Sequence, residues 1–231
     1  MTAPVIAIDG PSGAGKGTVA RAVARALGFA YVDTGAMYRA VAWKAVRDRG
    51  TPDDEEAGAA IAARASFELG GGRVVIDGHD VTGDIRTPEI DVAAAAVARL
   101  PDVRKALVRC QRALAGRGGV VMEGRDIGTA VLPDAAVKIY LDASAEERAA
   151  RRAGDPAHGL SGARLGEVAD ALAARDRLDR TREASPLVQA PDAIRVDTTG
   201  MPVDAVIAHV LDIVRAGIGD AAGGRASAAR D

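Results

Sequence analysis

A loop near the N-terminus combines the residue types that can bind a polyphosphate. Glycines let consecutive backbone N–H groups converge on one anion, because no Cβ blocks the approach, and Lys16 adds a mobile positive charge. An apolar run over residues 5–8 precedes the loop. A helical pattern that extends to Leu27 follows the loop. The start of a helix has unpaired N–H groups and the positive end of the helix dipole, and both favour a bound anion. The sequence therefore predicts a phosphate-binding loop between a strand and a helix. The loop consists of Gly10, Pro11, Ser12, Gly13, Ala14, Gly15, Lys16, Gly17 and Thr18.

This loop departs at one position from the common pattern G-x-x-x-x-G-K-[ST]. Gly17 stands where a serine or threonine is expected, and Thr18 supplies the hydroxyl one residue later. The variant resembles the loop of nucleoside monophosphate kinases. The three histidines are isolated from one another and from Cys110, so no metal-ligand spacing occurs in the sequence. We therefore expect any metal to be Mg²⁺ bound with the nucleotide, with Thr18 as its candidate protein ligand.

Two further polar clusters follow predicted strands. Thr34 and Tyr38 are four residues apart, so they share one face of a helix start, and Arg39 lies beside them. Arg125 and Asp126 lie between two glycines directly after another strand. Because ligands bind beyond the carboxyl ends of parallel strands, we expect both clusters and the phosphate-binding loop to line a single cleft. The simpler alternatives are an N-cap for Thr34 and a surface ion pair for Arg125 and Asp126.

Arginines concentrate on both sides of residues 154–162, a segment rich in glycine, proline, histidine and serine. The arginines are Arg148, Arg151 and Arg152 before the segment and Arg175, Arg177, Arg180 and Arg182 after it. Arg175, Asp179 and Arg182 recur at four- and three-residue spacing, so they share one helix face, and two guanidiniums around a carboxylate suit phosphate and sugar hydroxyls. Arginines beside a mobile segment are what a phosphoryl-transfer lid requires, because they must approach the phosphates and exclude water. For Arg177 and Arg180 the alternative is a solvated face with i,i+4 ion pairs.

The order of the predicted elements indicates the fold class. Five short apolar strands alternate with helices, which predicts an α/β fold with a parallel sheet covered by helices on both faces. Residues 67–87 break this rhythm with two glycine-containing turns between β-type runs, and they predict a small antiparallel sheet at about residues 66–82. Residues 219–231 are rich in alanine, glycine and arginine without periodicity, so we expect a disordered tail.

Composition disfavours several classes of function. Basic and acidic residues nearly balance, at 30 against 32, and aromatic residues make up 3% of the chain. Both values disfavour a nucleic-acid-binding ATPase, which needs a basic surface and stacking platforms. No apolar run approaches the roughly 20 residues that span a membrane, and Met1 leads directly into a strand, so we expect no signal peptide. The single cysteine, Cys110, fits a reducing cytosol. We expect a cytoplasmic monomer that binds small molecules, no nucleic acid and no membrane.

Four motifs in this order closely resemble the bacterial cytidylate kinase family: the phosphate-binding loop and residues 33–39, 123–129 and 175–182. The resemblance runs from about residue 4 to 215 and includes the hairpin region that ends at residues 80–87. It implies a P-loop nucleoside monophosphate kinase fold with a five-stranded parallel sheet. It also implies that ATP and CMP or dCMP react to give ADP and CDP or dCDP, with Mg²⁺ bound to ATP.

The resemblance also implies how the chain is divided. Residues 1–34 and 116–218 would form the kinase core, and residues 35–115 an insertion that binds the nucleoside monophosphate. A short lid would lie within the core at residues 151–163, and the tail would follow at residues 219–231.

The family pattern, carried onto this sequence, implies roles for individual residues. ATP would bind the loop from Gly10 to Thr18 together with Arg151 and Arg152. The CMP-binding residues would be Thr34, Tyr38, Arg39, Arg104, Arg125, Asp126, Arg175, Asp179 and Arg182. Of these, Arg104 and Asp126 would read the cytosine edge. The catalytic residues would be Lys16, Arg125, Asp126, Arg175 and Arg182.

Two departures from the family pattern leave alternatives open. Thr34 stands where the pattern has serine, which preserves a hydroxyl, and Ala95 replaces a serine that contacts the base, which puts base discrimination in question. The alternatives are a P-loop kinase for UMP, dTMP or a non-nucleotide alcohol, and a regulatory switch that hydrolyses GTP. The sequence contains no N-K-x-D guanine-reading motif, which disfavours the switch. For a kinase we expect direct in-line transfer, because the acceptor phosphate is already an anion at neutral pH.

Overall fold

Strands and helices alternate along most of the chain, as the sequence pattern predicts. The computed structural model describes residues 3–48, 50–155 and 164–228. The strands are β1 (Val5–Asp9), β2 (Ala30–Asp33), β3 (Phe67–Gly70), β4 (Arg73–Ile76), β5 (His79–Asp80), β6 (Val120–Gly124), β7 (Val137–Asp142) and β8 (Ile194–Asp197). The helices are α1 (Lys16–Leu27), α2 (Thr34–Arg47), α3 (Glu55–Arg64), α4 (Pro88–Val97), α5 (Pro101–Ala115), α6 (Ala145–Ala153), α7 (Leu165–Thr181) and α8 (Val203–Ala228). A 3₁₀ turn at Asp84–Arg86 and a π-helical turn at Ile127–Val131 complete the elements.

The larger sheet has five parallel strands in the order β2-β6-β1-β7-β8. In the centre of this sheet, Asp9 at the end of β1 lies opposite Gly124 of β6, and Asp33 at the end of β2 lies opposite Glu123. The carboxyl ends of these three strands are therefore level, and the loops that follow them emerge at one edge. The predicted α/β fold with a parallel sheet is confirmed.

Apolar side chains pack on both faces of this sheet, which is why its central strands read as continuous apolar runs. On one face Ile6 and Ile8 of β1 pack with side chains of α1 and α8. On the other face Ala7 and Met122 pack with Ile127 of the π-helical turn. The strand β1 is thus held from both sides, and the loop that follows it starts from a rigid base.

The chain between β2 and β6 forms a layer with its own core. Helices α2, α4 and α5 pack around Met37, Ile85 and Leu107, and the antiparallel sheet β3-β4-β5 adds Ile76 to this core. The small antiparallel sheet that the sequence predicts is therefore present. The assignment of this layer as a separate nucleotide-binding insertion stays a prediction.

The C-terminal helix is longer than the sequence predicts. We expected disorder from residue 219, but α8 continues to Ala228. Its last part lacks an apolar stripe, yet it contains several alanines, which have the strongest helix propensity and offset its glycines. Residues 229–231 and residues 156–163, which make up most of the predicted lid, lie outside the described residues. In the part of the chain that the structure describes, every helix is too short or too polar to span a bilayer.

Candidate active site

The loops that follow β1, β2 and β6 surround a cleft of about 470 Å³, which α6 and α7 also help to line. Most of the predicted site residues form its wall. They are Ser12, Gly13, Ala14, Gly15, Lys16, Gly17, Thr18, Thr34, Tyr38, Arg39, Arg125, Asp126, Arg151, Arg152, Arg175, Asp179 and Arg182. Three other predicted residues support this wall: Gly10 and Pro11 shape the loop, and Arg104 contacts Asp126.

Gly10 determines the path of the phosphate-binding loop. Its φ is +152°, and a Cβ there would lie 2.0 Å from the carbonyl oxygen of Leu141 in β7. Glycine is required because the chain passes this close to a neighbouring strand. Lys16 is buried, and its Nζ donates to the Pro11 carbonyl oxygen at 2.7 Å. Burial and then the nearby Arg125 lower the pKa of Lys16, and the negative charge of a bound polyphosphate would oppose both effects.

The glycine that follows the lysine has a packing reason. A Cβ at Gly17 would lie 3.0 Å from Oε1 of Glu123 and 3.5 Å from the hydroxyl oxygen of Tyr31. The Tyr31 hydroxyl donates to that Oε1 at 2.5 Å, so this pair fills the space that a serine or threonine side chain would need. Burial, followed by the charge of Asp33, raises the pKa of Glu123. Sequence reasoning did not assign Glu123 to the site, although it is the first residue of the polar motif at 123–129.

The N-cap of α2 is Asp33, so the alternative in which Thr34 caps this helix is wrong. Oδ1 of Asp33 accepts from the Ala36 N–H at 2.9 Å, and its Oδ2 accepts from Arg39 at 2.9 Å. The Thr34 hydroxyl is unavailable for capping because it donates to the Glu123 carbonyl oxygen at 2.7 Å. Burial opposes ionisation of Asp33, but Arg39 and the Ala36 N–H together hold its pKa below the usual value. Thr34 thereby ties the start of α2 to the end of β6.

Asp126 lies between two arginines from distant helices. Arg104 of α5 donates to its Oδ2, and Arg182, which follows α7, donates to its Oδ1 at 3.0 Å. The three side chains are 3–6% exposed. The guanidinium of Arg104 also lies over the ring of Tyr38, 5.7 Å from the ring centroid. Asp126 thus pairs with buried arginines and not with its neighbour Arg125, as the surface-pair alternative would require.

Asp179 organises the arginine face of α7. Nε of Arg125 donates to its Oδ2 at 2.9 Å, and Nε of Arg175 lies 3.5 Å from the same oxygen. Arg175 also donates from NH1 to the carbonyl oxygen of Asp91 in α4 at 2.6 Å. Both guanidiniums lie on the cleft wall, where their other N–H groups can meet an anion. Arg177, on the same helix, is exposed to solvent and does not belong to this wall.

The two arginines at the end of α6 point in different directions. Arg151 donates to the hydroxyl and to the carbonyl oxygen of Thr198, each at 2.8 Å, and its NH1 lies 3.5 Å from the carbonyl oxygen of Ala14 in the loop. Arg152 pairs instead with the carboxylate of Asp91. Arg151 is therefore fixed beside the phosphate-binding loop, whereas Arg152 reaches across the cleft to α4.

Two buried carboxylates brace the phosphate-binding loop, and sequence reasoning assigned neither. The oxygens of Asp9 accept from the N–H groups of residues 127–128, each at 2.8 Å. Asp176 accepts from the Ser12 N–H at 3.0 Å and from Arg148 at 2.5 Å. Burial raises the pKa of Asp9 to about 6, against the opposing effect of its two N–H donors. The N–H groups that these two carboxylates accept from are more than 100 residues away in the chain, and Arg148 is 28 residues from Asp176, so no local spacing indicates these contacts.

The cleft offers oxygen donors that fit Mg²⁺ bound with a polyphosphate. Thr18, Asp33 and Glu123 all lie on its wall. Mg²⁺ commonly takes one or two such protein oxygens together with phosphate oxygens and water. Within residues 3–48, 50–155 and 164–228 no group of three or more His, Cys, Asp or Glu side chains is arranged to hold a metal ion. These residues would therefore hold Mg²⁺ together with the phosphates of a ligand.

Comparison with known proteins extends these observations. The chain matches the family described as cytidylate kinase over residues 6–216. It is 51% identical over 219 residues to a cytidylate kinase of Pelotomaculum thermopropionicum, covering 93% of this chain and 97% of that protein. It is 50% identical over 211 residues to a cytidylate kinase of Desulfitobacterium hafniense, covering 90% of this chain and 91% of that protein. Among solved structures, a gluconokinase from Sinorhizobium meliloti shares the fold with a TM-score of 0.50 at 16% identity, over 97% of this chain and 96% of that one.

The two relatives each cover at least 90% of the chain, and the family match at residues 6–216 includes every residue that lines the cleft. The protein therefore belongs to the cytidylate kinase family of ATP-dependent nucleoside monophosphate kinases.

Proposed function

We propose that this protein transfers the γ-phosphoryl group of ATP to CMP or dCMP, giving ADP and CDP or dCDP. The observation that carries the proposal is the buried Asp126, which Arg104 and Arg182 hold in the same cleft as the phosphate-binding loop. A carboxylate accepts hydrogen bonds, so it suits the exocyclic amino group of cytosine, whereas the carbonyl of uracil would face a negative charge. Similarity to proteins named cytidylate kinase supports the same acceptor.

The donor phosphates bind in this proposal to the phosphate-binding loop. Lys16 lies within the loop, where its Nζ donates to the Pro11 carbonyl oxygen at 2.7 Å, and an ammonium group carries two further N–H groups that can donate to phosphate oxygens. Arg151 lies beside the same loop. The acceptor phosphate binds in this proposal to the part of the cleft wall that carries Arg39, Arg125 and Arg175.

The transfer is direct and in line in this proposal. The acceptor phosphate is an anion at neutral pH, so no general base has to generate the nucleophile. The chain contributes alignment of the two nucleotides and positive charge around the transferring group, chiefly from Lys16, Arg125 and Arg175. When bound, Mg²⁺ neutralises phosphate charge, and Thr18 with the carboxylates of Asp33 and Glu123 are the residues that would hold it.

Base selection in this proposal depends on few groups. Ala95 of α4 is buried and offers no hydroxyl where the family pattern has serine. Asp126 and Arg104 then carry most of the discrimination between cytosine and uracil. We expect a measurable activity with UMP for this reason. That the enzyme acts as a cytoplasmic monomer stays a prediction.

The test is an acceptor panel in which ADP release from ATP and Mg²⁺ is measured with CMP, dCMP, UMP, dTMP, a non-nucleotide alcohol and no acceptor. We expect kcat/KM to be highest with CMP and dCMP and turnover without acceptor to be negligible. A higher kcat/KM with UMP, dTMP or the alcohol would overturn the acceptor assignment. Tight GTP binding with little acceptor-stimulated turnover would overturn the kinase proposal in favour of a regulatory switch.

A further inference from the structure

Asp91 links two parts of the molecule that have separate apolar cores. It lies in the first turn of α4, whose apolar side chains pack in the layer between β2 and β6. Helices α6 and α7 follow β7 in the chain and pack on each other through Ala149, Val168 and Leu172. Polar groups of Asp91 nevertheless contact both of these helices. The proposed function gives Asp91 no role.

Two arginines meet at Asp91. Arg152 of α6 donates from NH2 to its carboxylate, and Arg175 of α7 donates from NH1 to its main-chain carbonyl oxygen at 2.6 Å. The side chains of Arg152 and Asp91 are 18% and 26% exposed, so water and salt screen this ion pair less than a surface pair. Both arginines lie on the wall of the cleft. One residue of α4 therefore holds a guanidinium from each of the two helices.

Another arginine of the cleft is held in a similar way. Oδ2 of Asp179 accepts from Nε of Arg125 at 2.9 Å. A guanidinium has five N–H groups, so a carboxylate can fix its orientation and leave the remaining groups to an anion. The carboxylate of Asp91 can do the same for Arg152. Because Arg152 and Arg175 are both positive, this carboxylate also offsets the repulsion between them.

An acid in the first turn of a helix has a simpler explanation, which is that it stabilises the helix by meeting the positive end of the helix dipole. Glu89 lies in the same turn of α4, but it is exposed and is not on the cleft wall. Asp91 differs from Glu89 because it is partly buried and paired with Arg152. A comparison of the two residues therefore separates stabilisation of the helix from a role in the cleft.

We propose that Asp91 is a positioning residue for phosphoryl transfer: it holds Arg152 beside Arg175, so that both guanidiniums face the group that is transferred. The inference rests on the proposed function, in which Arg175 supplies positive charge to that group. Arg152 then acts on the transferring phosphoryl group in addition to binding ATP. Loss of an interaction that is made mainly in the transition state lowers kcat and leaves KM nearly unchanged.

The first experiment compares Asp91→Asn with Glu89→Gln, because each removes one negative charge from the same helical turn. We expect Asp91→Asn to lower kcat about tenfold, the equivalent of one charge-assisted hydrogen bond, with KM for ATP and for the acceptor within about twofold of the wild type. Glu89→Gln should leave kcat within about twofold. Each variant should lower the thermal midpoint by no more than about 3 °C.

Two results of this comparison would overturn the proposal. If Asp91→Asn lowered the thermal midpoint but left kcat within about twofold of the wild type, the role of Asp91 would be purely structural. If Asp91→Asn raised either KM and left kcat unchanged, Asp91 would support substrate binding and not the transfer step.

The second experiment tests whether the effect passes through Arg152. Arg152→Gln should lower kcat at least about tenfold, because it removes the guanidinium itself, and the addition of Asp91→Asn should lower kcat no further. If the two effects multiplied, Asp91 would act independently of Arg152 and the proposal would be overturned. Arg152→Gln would also overturn it by leaving kcat within about twofold of the wild type, even if Asp91→Asn failed to fold.

All rates are measured with whichever acceptor the wild-type enzyme prefers. A preference for UMP over CMP would refute the proposed function. It would leave the ratio of variant to wild-type kcat, on which the role of Asp91 depends, as a separate result.

Discussion

Arg104 and Asp126 form an ion pair from which solvent is almost wholly excluded, although the two residues come from different layers of the fold. Burying two charges costs several kcal/mol per ion before their attraction is counted, so such a pair is seldom retained for stability alone. Arg182 adds a second buried guanidinium to the same carboxylate. The three groups are better explained as a fixed hydrogen-bonding surface for a ligand than as a support for the fold.

Replacement of Asp126 should reduce base discrimination. Asp126→Asn keeps the shape of the side chain but removes its charge and half of its acceptor capacity. We expect the ratio of kcat/KM for CMP to that for UMP to fall about tenfold or more. Stability should also fall, by about 3 kcal/mol, because Arg104 and Arg182 lose their shared anion in a buried site. The measurement is steady-state kinetics with both acceptors, together with urea unfolding. Asp53→Asn, at an exposed position, is the control and should change neither quantity. If Asp126→Asn left the ratio of kcat/KM for CMP to that for UMP unchanged, residues other than Asp126 would have to distinguish the two bases.

Loss of the loop lysine should abolish turnover without unfolding the protein. Lys16→Met removes a buried charge and keeps an unbranched side chain of similar length, so the free enzyme should be as stable as the wild type. We expect kcat to fall by at least about 10³-fold, since the charge that meets the donor phosphates is lost. Steady-state kinetics and a thermal melt of the same sample test this. A folded variant with nearly normal kcat would contradict the assignment of the phosphate-binding loop.

The two faces of α7 provide a matched comparison. Arg175 lies on the cleft wall beside Asp179, whereas Arg177 is exposed on the same helix. We expect Arg175→Ala to lower kcat by on the order of 10³-fold, as for other arginines that stabilise a transferring phosphoryl group. Arg177→Ala should leave kcat within about twofold of the wild type, because an exposed charge contributes little. If the two substitutions lowered kcat equally, the overall positive charge of α7 would matter for catalysis and the position of Arg175 on the cleft wall would not.

The stability of the enzyme should depend on pH through Asp9. Burial raises its pKa to about 6 in the folded state, above the ordinary value of 3.8. As the pH falls from 6 to 4, the folded state takes up a proton that the unfolded state does not, so this residue increasingly favours the folded state. The free energy of unfolding of the wild type, relative to that of Asp9→Asn, should therefore rise by about 2 kcal/mol between pH 6.5 and pH 4. Urea unfolding of both proteins across this range measures the difference. If the free energy of unfolding changed with pH by the same amount in both proteins, the raised pKa of Asp9 would be contradicted.

The phosphate-binding loop could be predicted from the sequence because its signals are local. The glycines, Lys16 and Thr18 lie within nine residues, and the elements on either side have their own periodicity. The start of α6 has a similarly local signal, because a serine followed three residues later by a glutamate is typical of a helix start, and Ser144 accepts from the Glu147 N–H at 3.2 Å. The shared face of Arg175, Asp179 and Arg182 follows equally from helix geometry.

The contacts that could not be predicted join residues far apart in the chain. Asp33 and Thr34 are both good N-cap residues, and which one caps α2 depends on the pairing of β2 with β6, which brings the Glu123 carbonyl oxygen to the Thr34 hydroxyl. Asp9 and Asp176 could not be assigned because the N–H groups that they accept from belong to other loops. The end of α8 was misjudged because alanine favours a helix and glycine opposes it, and no periodic pattern decides between them.

The packing of Gly17 against Glu123 and Tyr31 constrains how this loop can diverge. A serine at residue 17, as in the more common pattern, would bring its Cβ to 3.0 Å from the Glu123 carboxylate, so that carboxylate would have to shift and its hydrogen bond from Tyr31 would be disturbed. The residues at positions 17, 31 and 123 are therefore expected to be exchanged together and not singly. A loop with Gly-Lys-Ser that is transplanted into this scaffold should lower its stability until its two distant neighbours are transplanted with it.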